Sequence, residues 1–404
     1  MKKTWLILAV AALSGLLLGC PPKNEGGGST AGTSTTGDIL VGEYGSLSGN
    51  QATFGQATHN GILMGMDEVN AAGGINGRKI KVLTEDDQSK QEEAANAVTK
   101  LISQNNVIAV LGEVASSASM AAGPICQSNK VPMITPSSTN EAVTARGDYI
   151  FRVCYIDNYQ GPVMARFATQ NLKSKRGAIM TDVKNDYSTG LTTVIESTFN
   201  STGGKIVAKQ SYSNGDSDFR PQLTAVKAAN PDVIFIPGYY GDVGQIVSQA
   251  RDLGITVPFV GGDGWESPKL IEIGGKAMNG CYYANHYFQG DPTPVVKEFV
   301  EKYRQRYKVT PGALDALGYD AARVLADAIK RAGSTEGSKI RDAIAATKDF
   351  QGVTGNITMG PDRNPINKKI VVVAIKDGQL TLATSIDPNA GSGATAATGT
   401  TPAK

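Results

Sequence analysis

The chain has 404 residues, more than one hydrophobic core usually serves, so two lobes are the default expectation. Hydrophobic residues make up 41%, which places it with soluble globular proteins rather than disordered or membrane-spanning ones. Lys and Arg number 39 against 37 Asp and Glu, which leaves no concentrated basic face to displace counterions and argues against a nucleic-acid partner.

The first 20 residues read as an address. Lys2 and Lys3 precede a short apolar run from Trp5 to Leu18, which ends on Leu17-Leu18-Gly19-Cys20. Such a run is too short to span a bilayer and reads as an export signal. Its ending resembles the bacterial lipobox, which implies cleavage before Cys20 and acylation of that residue. Each buried methylene of an acyl chain contributes about 0.8 kcal/mol, so the resemblance implies a protein lipid-anchored to a bacterial membrane and facing out of the cytoplasm. The alternative is an ordinary cleaved signal with an incidental cysteine. Residues 21–37 are rich in Gly, Ser and Thr and predict a flexible tether; residues 385–404 repeat that composition and predict a disordered tail.

Between them, short apolar runs alternate with helix-length amphipathic segments. Ile39–Glu43 predicts a strand and Phe54–Ala72 a helix, with Ile62, Met66 and Val69 on one face and Gly73-Gly74 as its stop. Strands at Lys79–Leu83, Val107–Leu111 and Val131–Thr135 bracket helices at Glu92–Gln104 and Met120–Ser128. The beat resumes with strands at Gly177–Thr181, Lys205–Gln210, Val233–Pro237 and Val257–Val260, separated by helices at Gly190–Phe199, Phe219–Ala228 and Gly244–Leu253. Segments 295–307, 312–332 and 336–347 add helices, and Lys369–Ile375 with Gln379–Ala383 predicts a hairpin. Strands separated by single helices predict right-handed βαβ units and parallel sheets covered on both faces. The fold class expected is α/β, with two doubly wound parallel-sheet lobes.

Catalytic chemistry is nearly absent from the pattern. The 2 histidines, His59 and His286, lie in no metal-ligand spacing, and no phosphate-cradling glycine motif occurs. Gly45–Gly49 mimics a nucleophile elbow, but Leu47 stands where the serine is needed. Asp86-Asp87 reads as a solvated turn rather than a metal pair. No enzyme, metal or cofactor is expected. Setting Cys20 aside leaves Cys126, Cys154 and Cys281, which allows either a Cys126–Cys154 disulfide or three buried thiols.

Binding chemistry is better represented. Ligands of open α/β sheets sit beyond the carboxyl ends of strands, where helix N-termini offer free N–H groups. Ser116, Ser117 and Ser119 follow one predicted strand, and Ser137, Ser138 and Thr139 follow the next, together suggesting an anion site for a carboxylate. Tyr239-Tyr240 ends a strand of the second block, and Asp263 lies among glycines beside Trp265, a candidate partner for an ammonium.

Taken in order, Gly45–Gly49, Ala71–Gly77, Gly112–Ser117, Ile134–Thr139 and Gly238–Gln245 resemble the branched-chain amino-acid-binding proteins of ABC transporters, type I periplasmic binding proteins. The resemblance implies a Venus-flytrap with a three-segment hinge: residues 38–157 plus 287–367 as one lobe, 158–286 plus 368–384 as the other. It implies that Ser116, Ser137 and Thr139 hold the carboxylate and part of the ammonium and that Asp263 pairs with the ammonium. Phe54, Tyr187, Tyr239 and Trp265 would wall an aliphatic pocket. It further implies a monomer that delivers an amino acid, with Leu, Ile or Val favoured, to an ABC permease. Departures at Phe54, Ser137 and Asp263, where some relatives carry Tyr, Ala and Glu, leave the side-chain preference open. The same fold also serves ligand sensors, for example of amides, so a sensory protein remains an alternative, and an exported hydrolase a more distant one.

Overall fold

The structure, a computed structural model, describes residues 37–386. The export leader with Cys20, the tether up to residue 36 and the tail from residue 387 lie outside the described residues.

Five strands build the first sheet: β1 (Ile39–Gly45), β2 (Ile80–Asp86), β3 (Val110–Leu111), β4 (Met133–Thr135) and β5 (Ile150–Arg152), all parallel, in the order β2-β1-β3-β4-β5. Helices α1 (Ala52–Ala71), α2 (Gln91–Ser103) and α3 (Ser116–Asn129) make the crossovers. Helices on both faces explain why β1 is buried along almost its whole length rather than on alternate residues. Glu43 in its middle is tolerated because its carboxylate accepts from Thr84 Oγ1 at 2.7 Å and meets His59 Nδ1 at 2.8 Å.

The second sheet follows from α4 (Asp157–Arg166) through β6 (Arg176–Asp182), α5 (Asp186–Ser201), β7 (Lys205–Tyr212), α6 (Arg220–Ala228), β8 (Val233–Phe235), α7 (Tyr240–Asp252), β9 (Phe259–Gly261), α8 (Pro268–Gly274) and β10 (Cys281–Asn285). The chain then returns to the first sheet's side. There α10 (Ala313–Ala332) packs on α1, flanked by α9 (Pro294–Tyr307) and α11 (Gly337–Ala345). A small antiparallel sheet of β11 (Phe350–Gly352), β12 (Gly355–Met359) and β13 (Pro365–Ile366) leads back across. The hairpin β14 (Ile370–Lys376) and β15 (Gln379–Ile386) completes the second sheet in the order β15-β14-β10-β9-β8-β6-β7. Its turn is Asp377-Gly378, both at positive φ (50° and 73°), the backbone a two-residue hairpin of matching twist requires. Pairing of Val371 with Ser385 and of Ile370 with Ile386 carries β15 two residues into the stretch read from composition as tail.

Three helix starts differ from the periodicity reading in the same way. Helices α3, α5 and α7 begin at Ser116, Asp186 and Tyr240, one turn ahead of the expected 120, 190 and 244. Their first turns face the opposite lobe rather than their own sheet, so no apolar period announces them. The thiols of Cys126, Cys154 and Cys281 are free and buried, and burial pushes each up to about 12. Among the described residues no helix is long and apolar enough to cross a membrane.

The contact of α1 with α10 is backbone against backbone. A Cβ on Gly61 would lie 2.0 Å from the Asp315 carbonyl oxygen, and one on Gly318 2.4 Å from that of Thr58. Gly61→Ala, normally favourable inside a helix, should therefore destabilise the protein by about 1–3 kcal/mol, which chemical denaturation will measure.

Candidate binding site

Each sheet sends its strand ends toward the other, and the crevice between them is closed. Thr53 Oγ1 lies 2.9 Å from Ser267 Oγ, and Tyr240 Oη donates to the Asn50 carbonyl at 3.0 Å. Ser117 Oγ donates to Asp186 Oδ2 at 2.8 Å and accepts from the Asp186 amide at 3.1 Å. Glu266 reaches across to the N-terminus of α10, its Oε1 accepting from the Ala313 amide at 3.0 Å. An acid at that position meets the positive end of the helix dipole. A cavity of about 120 Å³ remains at the mouth, bordered by Ser46, Ser89, Ser117, Asn185, Asn214 and Tyr239.

The hydroxyl cluster divides by side. Ser138 Oγ bonds the carbonyls of Glu113 and Val114 at 2.9 and 3.0 Å, and Ser119 Oγ lies 2.7 Å from Ser138 Oγ. Thr135 Oγ1 also donates to the Glu113 carbonyl. These three brace the loops that follow β3 and β4. Ser116, Ser137 and Thr139 are not part of that brace. Ser116 Oγ accepts from the Asn140 amide at 3.2 Å, Ser137 Oγ donates to Asp263 Oδ2 at 3.4 Å, and Thr139 Oγ1 lies 3.4 Å from Gln160 Nε2. Helix α3 starts behind Ala115, which gives no side-chain cap. Its first amides thus remain a positive pole that an external anion can complete.

The aromatic residues separate too. The Phe54 ring meets Tyr239 edge-on at 5.4 Å and Tyr240 at 5.0 Å, while Tyr187 stacks on Tyr239 at 5.3 Å with planes 5° apart. Tyr187 Oη accepts from the Gly264 amide at 3.0 Å, which ties this wall to the Asp263 turn. Trp265 stands apart from it. Its Nε1 donates to the Ile236 carbonyl at 2.9 Å and its ring tilts toward Tyr283 at 6.2 Å, so the indole packs on the second sheet. Gly261 is where that ring passes: a Cβ there would come within 2.1 Å of it.

Asp263 is buried at the lobe boundary. Its Oδ1 accepts from Gln160 Nε2 and its Oδ2 meets His286 Nε2, both at 2.9 Å. Sequence reasoning missed both partners. Gln160 carries no motif of its own, and His286 lies in no metal-ligand spacing, although a histidine immediately after a strand end is a signal for a cleft. The reading of Asp86-Asp87 as a solvated turn holds for Asp86, whose carboxylate accepts from the Leu47 and Ser48 amides at 3.0 and 3.1 Å. Asp87 is instead fully buried. It and Glu113 share the Ser46 hydroxyl, at 2.9 and 3.0 Å, and burial pushes both carboxyls upward. Among the described residues no group of three or more His, Cys, Asp or Glu could hold a metal ion.

The family model described as periplasmic binding protein matches residues 38–379. The chain is 30% identical, over 79% of its length and 85% of the relative's, to the leucine-, isoleucine-, valine-, threonine- and alanine-binding protein of Pseudomonas aeruginosa. Its fold superposes on a leucine-binding protein of Thermotoga maritima with a TM-score of 0.84 and 40% identity, covering 87% of this chain and 99% of that one. A branched-chain amino acid transporter substrate-binding protein of Streptococcus pneumoniae, solved with isoleucine, gives 0.82 and 34%, covering 87% and 100%.

A second buried acid lies behind the first. Asp157 Oδ1 accepts from the same Gln160 Nε2 at 2.7 Å, while its Oδ2 has no hydrogen-bond partner among the described residues. Burial, and then the charge of Asp263, pushes its carboxyl up to about 7. The folded protein therefore holds a proton here that the unfolded chain, titrating at about 3.9, releases earlier. Stability from this group is full below about pH 4 and declines as pH rises through about 7. Asp157→Asn should accordingly melt close to wild type at pH 4.5 and a few degrees above it at pH 8, as differential scanning calorimetry will show.

Proposed function

The chain belongs to the periplasmic binding protein family, in its Leu/Ile/Val-binding branch, and from that premise we propose that it captures a free aliphatic amino acid between its lobes and presents it to an ABC permease. The observation that carries this reading is a pair of opposite poles in one cleft. The uncapped start of α3, beside Ser116, Ser137 and Thr139, suits a carboxylate; Asp263 suits an ammonium. Between them the wall of Phe54, Tyr187 and Tyr239 supplies apolar area without a fixed charge. Burying an aliphatic side chain against such a wall contributes roughly 1.5–3 kcal/mol, which favours leucine, isoleucine or valine over glycine. Trp265 supports the pocket from behind by fixing the turn that carries Asp263.

The work done is binding and closure rather than turnover. A ligand that bridges both lobes stabilises the closed arrangement over an open one, and the permease reads that difference. The lobes divide at the three crossings, as residues 38–157 plus 287–367 and 158–286 plus 368–384, and the protein acts as a monomer. It works outside the cytoplasm, held on the membrane by acylated Cys20.

Leucine titrated into Asp263→Asn should bind at least about two powers of ten more weakly than into wild type, because an unpaired buried ammonium is expensive. Near-wild-type affinity in that calorimetric titration removes Asp263 from the site. Cys20→Ala should move the protein from the membrane fraction to the soluble one with unchanged leucine affinity, and a wild type found wholly soluble rejects the anchor.

A further inference from the structure

Asp263 comes from a three-residue turn, Asp263–Trp265, which fixes its backbone but donates nothing to its carboxylate. Ser137 reaches it at 3.4 Å, and two residues from other segments hold it at shorter range. Gln160 of α4 clamps it at two points, Nε2 to Oδ1 at 2.9 Å and the Asp263 amide to Oε1 at 3.1 Å. The second Nε2 proton goes to Asp157 Oδ1 at 2.7 Å, which leaves the amide only one orientation.

His286 is the other. It is the first residue after β10, in a segment where the chain passes between the lobes, and its ring is buried. Nε2 lies 2.9 Å from Asp263 Oδ2. The ring stacks at 3.8 Å, 21° from parallel, on Tyr155, which belongs to another crossing segment just after β5. Nδ1 is buried with no hydrogen-bond partner among the described residues. Burial holds the imidazole below its ordinary value, against the upward pull of Asp263, and the unpartnered Nδ1 is the nitrogen with nothing to receive a proton's hydrogen bond. A neutral ring has one proton, and the geometry puts it on Nε2, where an acceptor waits.

We propose that His286 is a positioning residue for the ligand's ammonium: its Nε2–H holds Oδ2 of Asp263 toward the hinge and leaves the remaining lone pair, on Oδ1, for the cleft. This rests on the amino-acid reading given above. A carboxylate offers about four acceptor positions; Gln160 takes one, and His286 and Ser137 share Oδ2, so an ammonium finds Oδ1 still open. The residue also ties recognition to motion, since the ring that orients Asp263 is stacked between two crossing segments.

The competing account is that His286 only packs on Tyr155. Two variants separate them. His286→Phe keeps a flat ring and loses the donor; His286→Gln keeps an N–H and loses the ring. Leucine and 4-methylpentanoate, which is leucine without its ammonium, are titrated into each. A positioning role predicts that His286→Phe weakens leucine roughly tenfold and 4-methylpentanoate less than about twofold, while His286→Gln stays within about threefold of wild type for leucine. Wild-type leucine affinity in His286→Phe, or equal losses for both ligands, overturns the proposal. Nitrogen NMR of the wild-type imidazole needs no variant: a neutral ring protonated on Nε2 supports the assignment, and one protonated on Nδ1 overturns it. Wild-type protein that binds 4-methylpentanoate as tightly as leucine overturns the ammonium reading itself, and is recognised as that failure because no substitution is involved.

Discussion

A carboxylate taken out of water must find donors or a cation, and a single short turn and the residue that ends it set two of them here, Asp263 buried and Glu266 half-buried. Asp263 and Glu266 leave that turn in different directions. Glu266 is satisfied inside the molecule, by Tyr283 Oη, Asn285 Nδ2 and the first amide of α10. Asp263 is satisfied only in part, by Gln160, His286 and Ser137. The first acid latches the lobes together; the second, at their boundary, is left only partly paired within the chain. On the reading proposed above, closure and recognition thus draw on the same few residues.

The requirement spreads outward. Gln160 can clamp Asp263 only because Asp157 fixes its amide, and Asp157 in turn is held at its backbone by the Thr139 carbonyl at 2.9 Å. Thr139 belongs to the loop after β4, whose neighbouring hydroxyls brace the loop after β3. A chain of hydrogen bonds therefore runs from the first lobe's strand ends through the hinge to the acid of the second. In a low-dielectric interior such a network has high stakes, because a broken link leaves its neighbours unpaired.

The apolar side of the cleft is built differently. Phe54 comes from α1, which is pinned by the close backbone contact of Gly61 with α10, while Tyr187 and Tyr239 come from helix starts on the second sheet. Their contacts are edge-on and stacked rather than hydrogen-bonded, so they tolerate small shifts between lobes better than the polar set does. The division is the one the proposed amino-acid reading requires, with polar groups for the backbone of the ligand and an adaptable wall for its side chain.

Much of this was legible before any coordinates. Alternating apolar runs and amphipathic helices determined a doubly wound α/β chain, because parallel strands covered on both faces must be apolar throughout. The paired runs Lys369–Ile375 and Gln379–Ala383 announced the last hairpin, and the hydroxyls after β3 and β4 and the lone acid beside Trp265 marked the strand ends where ligands sit. What the tertiary structure decided is which of those residues face one another. Ser138 and Ser137 are neighbours in sequence, yet one braces a loop and the other meets Asp263 across the lobes. The first turns of α3, α5 and α7 carry no apolar period because they face a cleft, so periodicity placed each start a turn late. Gln160 and His286 reach Asp263 from 103 and 23 residues away in sequence, and no local pattern records a hydrogen bond whose partner is brought near only by folding.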